Sequence, residues 1–267
     1  MGFQEAYDAL LDRWGVPVEH LDLGGTHVNV CGPADGPPVV LLAGHGATAA
    51  VWFAVAPRLA QRYRVYAPDL PGDAGLSTAP PPRTVAELMT WLSGVLTPLQ
   101  SPVLVGHSYG AWTALTYALQ APVARLVLVD PTDCFTGLRP GYVARALPML
   151  LRPSERRYKS FIHWETQGLP VDPEWLHLAA LGSVEPSSRP VRPQRPKQFA
   201  ALPPTTVVVA DRSKAHHPRE LARRAEAVGA TVVHIPEATH HSLPALHADE
   251  VAAAVVRNRE AGRGPRV

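Results

Sequence analysis

Pro102-Val103-Leu104-Val105-Gly106-His107-Ser108-Tyr109-Gly110 is the stretch whose reading decides the fold. A short apolar run, Val103 to Val105, stops at two glycines that flank a serine at its apex, and an alanine-rich, helix-forming stretch from Ala111 to Ala121 follows at once. The order is strand, sharp turn, helix. A turn this tight holds its apex residue in a sparsely populated backbone region. Side chains at positions 106 and 110 would collide with the neighbouring strand and helix, which gives both glycines a steric reason. The expected result is a nucleophile elbow, G-x-S-x-G, with Ser108 Oγ presented above a sheet edge and its backbone at a helix N-terminus.

The rest of the chain supplies the sheet. Strands are expected at 18–23, 26–31, 39–43, 65–68, 103–106, 125–129, 205–210 and 231–235. The later ones are continuously apolar, as in Leu126-Val127-Leu128-Val129 and Val207-Val208-Val209, as parallel strands covered on both faces require. Helices fit between them at 49–62, 85–96, 109–120, 218–228 and 249–257. The alternation predicts an α/β fold with a mostly parallel eight-stranded sheet flanked by helices. Gly24-Gly25 joins the first two strands as a hairpin, so the sheet should begin antiparallel.

About 75 residues without a strand signal separate the sixth and seventh strands, long enough to hold structure of their own. Segments 142–151, 154–167 and 173–181 read as short helices, and Ser187 to Lys197 is a Pro/Arg-rich connector. The expected division is therefore a core of residues 1–133 and 203–267 with a helical cap, 134–202, over the active edge. Residues 135–200 hold ten Lys/Arg against five Asp/Glu. A basic cap serves solubility or attracts an anionic substrate or an acidic carrier protein, and composition leaves both open.

Composition bounds the function classes. With 46% apolar residues in 267, a sizeable core is available, and a net charge of +2 gives no global pull toward nucleic acid. No apolar run reaches 18 residues, so no membrane span is expected. The N-terminal residues lack a signal-peptide pattern, and position 6 lacks the Ser or Thr of a myristoylation motif. A cytoplasmic protein is the default expectation. Cys31 and Cys134 fall in separate regions, which predicts neither a disulfide nor a metal cluster.

Ser108 needs a base and an oxyanion hole. Two backbone amides suit the hole: that of Tyr109, after the serine, and that of His45, flanked by Gly44 and Gly46 in the loop after the third strand. Twelve histidines compete as base. The last strand leads into Pro236-Glu237-Ala238-Thr239-His240-His241-Ser242, where His240 is favoured and His241 would pack beside it or touch the pocket. His216-His217 precedes a helix and reads as surface.

These residues resemble the α/β-hydrolase superfamily over nearly the whole chain. Gly106 to Gly110 resembles its elbow. Ala43-Gly44-His45-Gly46 resembles its His-Gly-x-Gly oxyanion loop, with alanine in place of the first histidine. Asp69-Leu70-Pro71-Gly72-Asp73-Ala74-Gly75-Leu76-Ser77 resembles its Asp-x-x-Gly-x-Gly-x-Ser segment with one extra residue, and Thr239-His240 stands where relatives have Gly-His. The resemblance implies a third residue, an acid, usually after the seventh strand and four residues before a proline. Here that position is Lys214, and Asp211 lies three residues early. Haloalkane-dehalogenase-like members place the acid after the sixth strand, which points to Asp130; Asp211, Asp133 or no acid at all remain open.

The resemblance implies a serine hydrolase of an ester, lactone or thioester, with Ser108, His240 and Asp130 as catalytic residues and no metal or organic cofactor. Its substrate would be a small molecule, free or carrier-protein-bound, with neither nucleic acid nor membrane as partner. Acyl-carrier thioesterase or acyltransferase activity, a lyase or cyclase using the same residues without a covalent step, and a non-catalytic ligand-binding relative are the alternatives. Trp52, Tyr109, His241 and Trp164 are expected at the substrate pocket. Phe135, Tyr142, Met149, Phe161 and Trp175 are divided between pocket and cap core.

Overall fold

The computed structural model describes residues 2–185, 188–199 and 202–257. Ser187, the first residue of the expected connector, and the extremes of the expected core, Met1 and residues 258–267, lie outside these, as do 186, 200 and 201 of the expected cap. In chain order the elements are α1 (Phe3–Asp12), β1 (Val18–Asp22), β2 (His27–Cys31), β3 (Pro38–Leu42), α2 (Ala56–Leu59), β4 (Arg64–Pro68), α3 (Val85–Leu96), β5 (Val103–His107), α4 (Tyr109–Ala118) and β6 (Arg125–Val129). There follow α5 (Pro140–Leu151), α6 (Glu155–Thr166), α7 (Pro173–Gly182), β7 (Thr205–Ala210), α8 (Pro218–Ala227), β8 (Thr231–Ile235), α9 (Leu243–Leu246) and α10 (Ala248–Val256).

The eight strands form one sheet in the order β1-β2-β4-β3-β5-β6-β7-β8. β1–β2 and β2–β4 pair antiparallel, and the remaining pairs are parallel. Alternating residues divide between two apolar layers. Leu41, Val105, Val127 and Val208 face α1, α2, α9 and α10, while Leu42, Leu104, Leu128 and Val207 face α3, α4 and α8. Both faces are therefore covered, which is why these strands carry no polar alternation. No described helix is long and apolar enough to cross a membrane.

Register places the site. His107 pairs with Val129 across β5 and β6, and Val129 with Val208 across β6 and β7. Ser108 and Asp130 are thus the first residues past two adjacent, level strand tips. Their amides donate to the carbonyls of Val129 (3.1 Å) and Val208 (2.8 Å). A β-carbon on Gly106 would lie 2.2 Å from Gly110 O, and one on Gly110 would lie 2.3 Å from Leu42 O, so the elbow closes only with glycine at both positions.

Three elements differ from the sequence reading, among them the unexpected four-residue α9. The helix expected over 49–62 is a 3-10 turn, Ala49–Ala54, followed by the four-residue α2. Pro57 explains the break: it has no N–H to continue the ladder, and its ring crowds the preceding turn. The N-terminal α1 was not anticipated; it buries Tyr7 and Leu10 and is tied to α7 by Arg13, 2.7 Å from Asp172. Cys31 and Cys134 are both buried free thiols.

Candidate active site

Ser108 sits at φ +54°, ψ −115°, in the strained region the elbow demands. Its Oγ lies 2.9 Å from His240 Nε2, and His240 Nδ1 lies 2.6 Å from Asp130 Oδ2. Because Nδ1–H donates to the carboxylate, Nε2 is left as the acceptor that faces the hydroxyl. His240 and Asp130 are buried while Ser108 is half-buried, so the line of three runs from the interior toward a reachable oxygen. Burial alone disfavours charge on Asp130, but the imidazoles of His216 and His240 hold its carboxyl well below the usual range. Burial lowers the pKa of His240, opposed by Asp130.

Asp211 and Asp133 lie elsewhere. Asp211 bonds His234 Nδ1 at 2.6 Å, and Asp133 faces Arg195 at 3.9 Å. Lys214, at the position where relatives carry the acid, donates Nζ to the Trp164 carbonyl. The end of β7 and the loop after it instead support Asp130: Ala210 N donates to Oδ1 (3.0 Å) and Ser213 Oγ to Oδ2 (2.8 Å). The surface position expected for His216 is corrected by the structure. It is fully buried, and its Nε2 lies 2.9 Å from Asp130 Oδ1 but out of line for a hydrogen bond, so it is a close polar contact on the carboxylate. The cause is the turn before α8, where Ala215 N donates to Ser213 Oγ (3.3 Å) and the chain brings His216 against Asp130.

The loop carrying His240 is held from two sides. Glu165, from α6, accepts from the amides of His240 (3.0 Å) and His241 (3.1 Å) and from His241 Nδ1 (3.1 Å). Its carboxyl is fully buried, which opposes ionisation, yet His241 and these amides bring its pKa down to about 2. From the other side His107 Nε2 donates to the His240 carbonyl at 3.0 Å. Burial and the neighbouring His240 depress its pKa to about 3, so it is neutral and serves as a donor.

Gly44 packs against the elbow: a β-carbon there would lie 3.3 Å from Ser108 Cβ. The next loop braces this one. Asp73 Oδ2 accepts from Gly46 N (2.8 Å) and His45 Nδ1 (2.9 Å), and Ala47 N turns back to Gly44 O. The His45 amide has no acceptor among the described residues, and the Tyr109 amide belongs to the first turn of α4, whose N–H groups have no intrahelical partner. The Tyr109 amide thus follows Ser108 in the chain, and the His45 amide follows Gly44, which packs against it.

Of the expected pocket residues, His241 and Trp164 reach the site's surroundings. His241 lies edge-on to His240 (ring centroids 4.9 Å), and Trp164 stacks in a cluster with Tyr142 and Phe161, Tyr142 itself edge-on to His240. Trp52 is fully buried in the core layer under the sheet. The Tyr109 ring points toward the connector, its hydroxyl donating to Val191 O at 3.1 Å. Sequence reasoning missed Glu165, His216, His107 and Asp73; only His107 and Asp73 lay within motifs already singled out.

Ligand atoms of Asp130, His216 and His240 lie within 4.8 Å of one another, a spacing open to a metal ion. The donor set argues otherwise. Both Asp130 oxygens already accept from Ala210 N and Ser213 Oγ, and 2.6 Å to His240 Nδ1 is a proton-bridged contact.

Residues 39–254 match the model of the alpha/beta hydrolase family. The chain is 29% identical to carboxylesterase YbfK of Bacillus subtilis (strain 168) over 173 residues, 61% of this chain and 57% of that protein. It is 32% identical to the pimeloyl-[acyl-carrier protein] methyl ester esterase of Aeromonas hydrophila over 144 residues, 50% of this chain and 55% of that one. The matches thus span little more than half the length of these relatives. Among solved structures, carboxylesterase CesB (YbfK) from B. subtilis superposes with a TM-score of 0.86 at 23% identity, covering 95% of both chains. Level strand tips, a glycine-flanked serine and the match across 39–254 lead to one conclusion: this chain belongs to the alpha/beta hydrolase family.

Proposed function

We propose that the chain is a serine hydrolase of carboxylic esters, lactones or thioesters, with Ser108 as nucleophile, His240 as base and Asp130 as the acid that orients it. The carrying observation is the unbroken line Asp130–His240–Ser108, at 2.6 and 2.9 Å, with its base enclosed. His240 Nε2 takes the Ser108 proton as Oγ bonds the substrate carbonyl carbon. The carbonyl electron pair moves to oxygen, which the His45 and Tyr109 amides receive. Collapse expels the alcohol or thiol, which takes the proton back from His240. Water repeats the sequence and releases the acid. Asp130 keeps the His240 tautomer and stabilises the imidazolium formed at each step.

The esterase names of the relatives support ester hydrolysis over the non-catalytic reading, and the carrier-linked name among them supports a carrier-borne ester as one substrate form. The described residues of 134–202 then act as a roof, with Glu165 joining it to the base and Trp164 and His241 bordering the acyl group. The test is Ser108→Ala with p-nitrophenyl esters and a fluorophosphonate label. Turnover and labelling are expected to vanish together. Unchanged turnover in this variant overturns the serine mechanism.

A further inference from the structure

Between α5 and α6 lies a groove of about 360 Å³ whose chemistry the proposed mechanism leaves unused. Arg145, Arg156 and Arg157 line it together with Ser154 and Ser160, and Phe161 forms part of its wall. No carboxylate is among its lining residues; the nearby Glu155 is engaged by Lys159 at 3.2 Å. Two guanidiniums are held in place without being neutralised: Arg145 donates to Ser160 Oγ (3.1 Å), and Arg157 to the Arg152 carbonyl (2.7 Å). Arg156 has no hydrogen bond or ion pair among the described residues, and it is exposed. Ser154 caps the first turn of α6, so the positive end of that helix adds to the same field.

Three like charges around one concavity repel each other unless an anion joins them, and guanidinium forks match carboxylate and phosphate oxygens. The groove also adjoins the reaction. Phe161 contacts the His241 ring edge-on (centroids 5.8 Å apart), and His241 contacts His240 in turn (4.9 Å). Arg145 lies 5.9 Å from the Trp164 ring on the same side.

We propose that the Arg145–Arg156–Arg157 groove binds an anionic group, carboxylate or phosphate, on the remote end of the ester that Ser108 attacks. This rests on the serine-hydrolase reading and adds a substrate class to it. Two sources share the chemistry, an acyl chain ending in carboxylate and a phosphopantetheine on the leaving thiol.

The test uses matched pairs differing only in the anion: monomethyl suberate against methyl octanoate, and octanoyl-phosphopantetheine against octanoyl-pantetheine. The full-length protein is expected to favour the anionic member of at least one pair by about tenfold in kcat/KM, and the preferring pair names the source. Added salt erodes the preference. Arg156→Gln should remove most of it through KM while leaving the neutral twin unchanged, and Arg156→Lys should restore part. A ratio near one for both pairs, or an equal loss on anionic and neutral esters in Arg156→Gln, overturns the inference while the hydrolase reading stands. If no ester is turned over, that reading fails, and calorimetry decides the groove separately. Binding of monomethyl suberate that is lost in Arg156→Gln then supports it, and no binding overturns it.

Discussion

Two neighbouring strand tips each carry an aspartate that meets a histidine Nδ1 at 2.6 Å, and only one of them belongs to the candidate site. Asp130 follows β6 and Asp211 follows β7, each the first residue past its strand. Their environments differ. The side chains of Asp130 and His240 are 0% and 2% exposed, whereas those of Asp211 and His234 are 33% and 43% exposed. Asp130 turns inward at φ +40° and gathers Ala210 N, Ser213 Oγ and His216. Asp211 leans toward β8, where His234 pairs with Val209 at the sheet edge. The same contact distance is a fixed, desolvated charge in one place and a solvated surface pair in the other. Burial and additional partners, rather than distance, separate the two.

The comparison breaks most sharply at Asp130. Replacing it by Asn keeps the volume but allows the wrong His240 tautomer, and kcat should fall by about 10⁴-fold in steady-state assays with p-nitrophenyl esters. A loss no greater than that of Asp211→Asn would mean that burial does not separate the two aspartates.

His216 sharpens it next. His216→Phe keeps a ring at this position but removes the polar contact on Oδ1, leaving Ala210 N as that oxygen's remaining partner. The expected effect is a kcat about 10- to 100-fold lower with KM unchanged, the scale of one lost contact to a buried charge. His216→Gln, which returns a polar N–H beside Asp130, should recover part of it. A rise in KM with constant kcat would indicate general loosening instead.

Glu165 tests the clamp on the proposed base, His240. Its folded pKa, about 2, lies below the ordinary glutamate value of about 4.3, so its contribution to stability is fully present above that ordinary value and is lost as pH falls toward about 2. Glu165→Gln should lower Tm at neutral pH by a few degrees, and the gap to the wild type should close through that acidic window. Parallel Tm curves for the two proteins across the window would show that the carboxylate's charge is not what holds the loop.

The reason some of this was legible in the sequence and some was not is physical. The elbow declares itself because two glycines and a strand–helix junction are local requirements, and the sheet declares itself because parallel strands covered on both faces must be apolar throughout. Asp130 and Asp211 were both visible as acids at strand tips, but the choice between them depends on a positive φ and on what lies beneath, neither of which has a local signature. Glu165 reads as one more charge on a polar helix, Glu155-Arg156-Arg157-Tyr158-Lys159-Ser160, until that helix folds over the histidine loop. His216 was read as surface because a polar pair before a proline-led helix has no reason in sequence to be buried. Pro57, by contrast, was a local signal that the helix over 49–62 had to break.

The smallest effect belongs to the outer pair, and it is the control on which the contrast depends. A solvated surface pair contributes about 0–1 kcal/mol, because water already solvates both members and ordering them opposes the gain. The Asp211 amide still donates to Ile235 O at 3.2 Å whatever its side chain, so the strand tip keeps its register. Asp211→Asn and His234→Ala should therefore leave kcat/KM within about twofold and stability within about 0.5 kcal/mol by urea unfolding. The two substitutions combined should change stability by no more than the exposed-pair value. A large loss of activity in Asp211→Asn would mean that the tip of β7 reaches His240 by a route other than Ala210 and Ser213. The acid would then have to be sought at the tip of β7 rather than at that of β6.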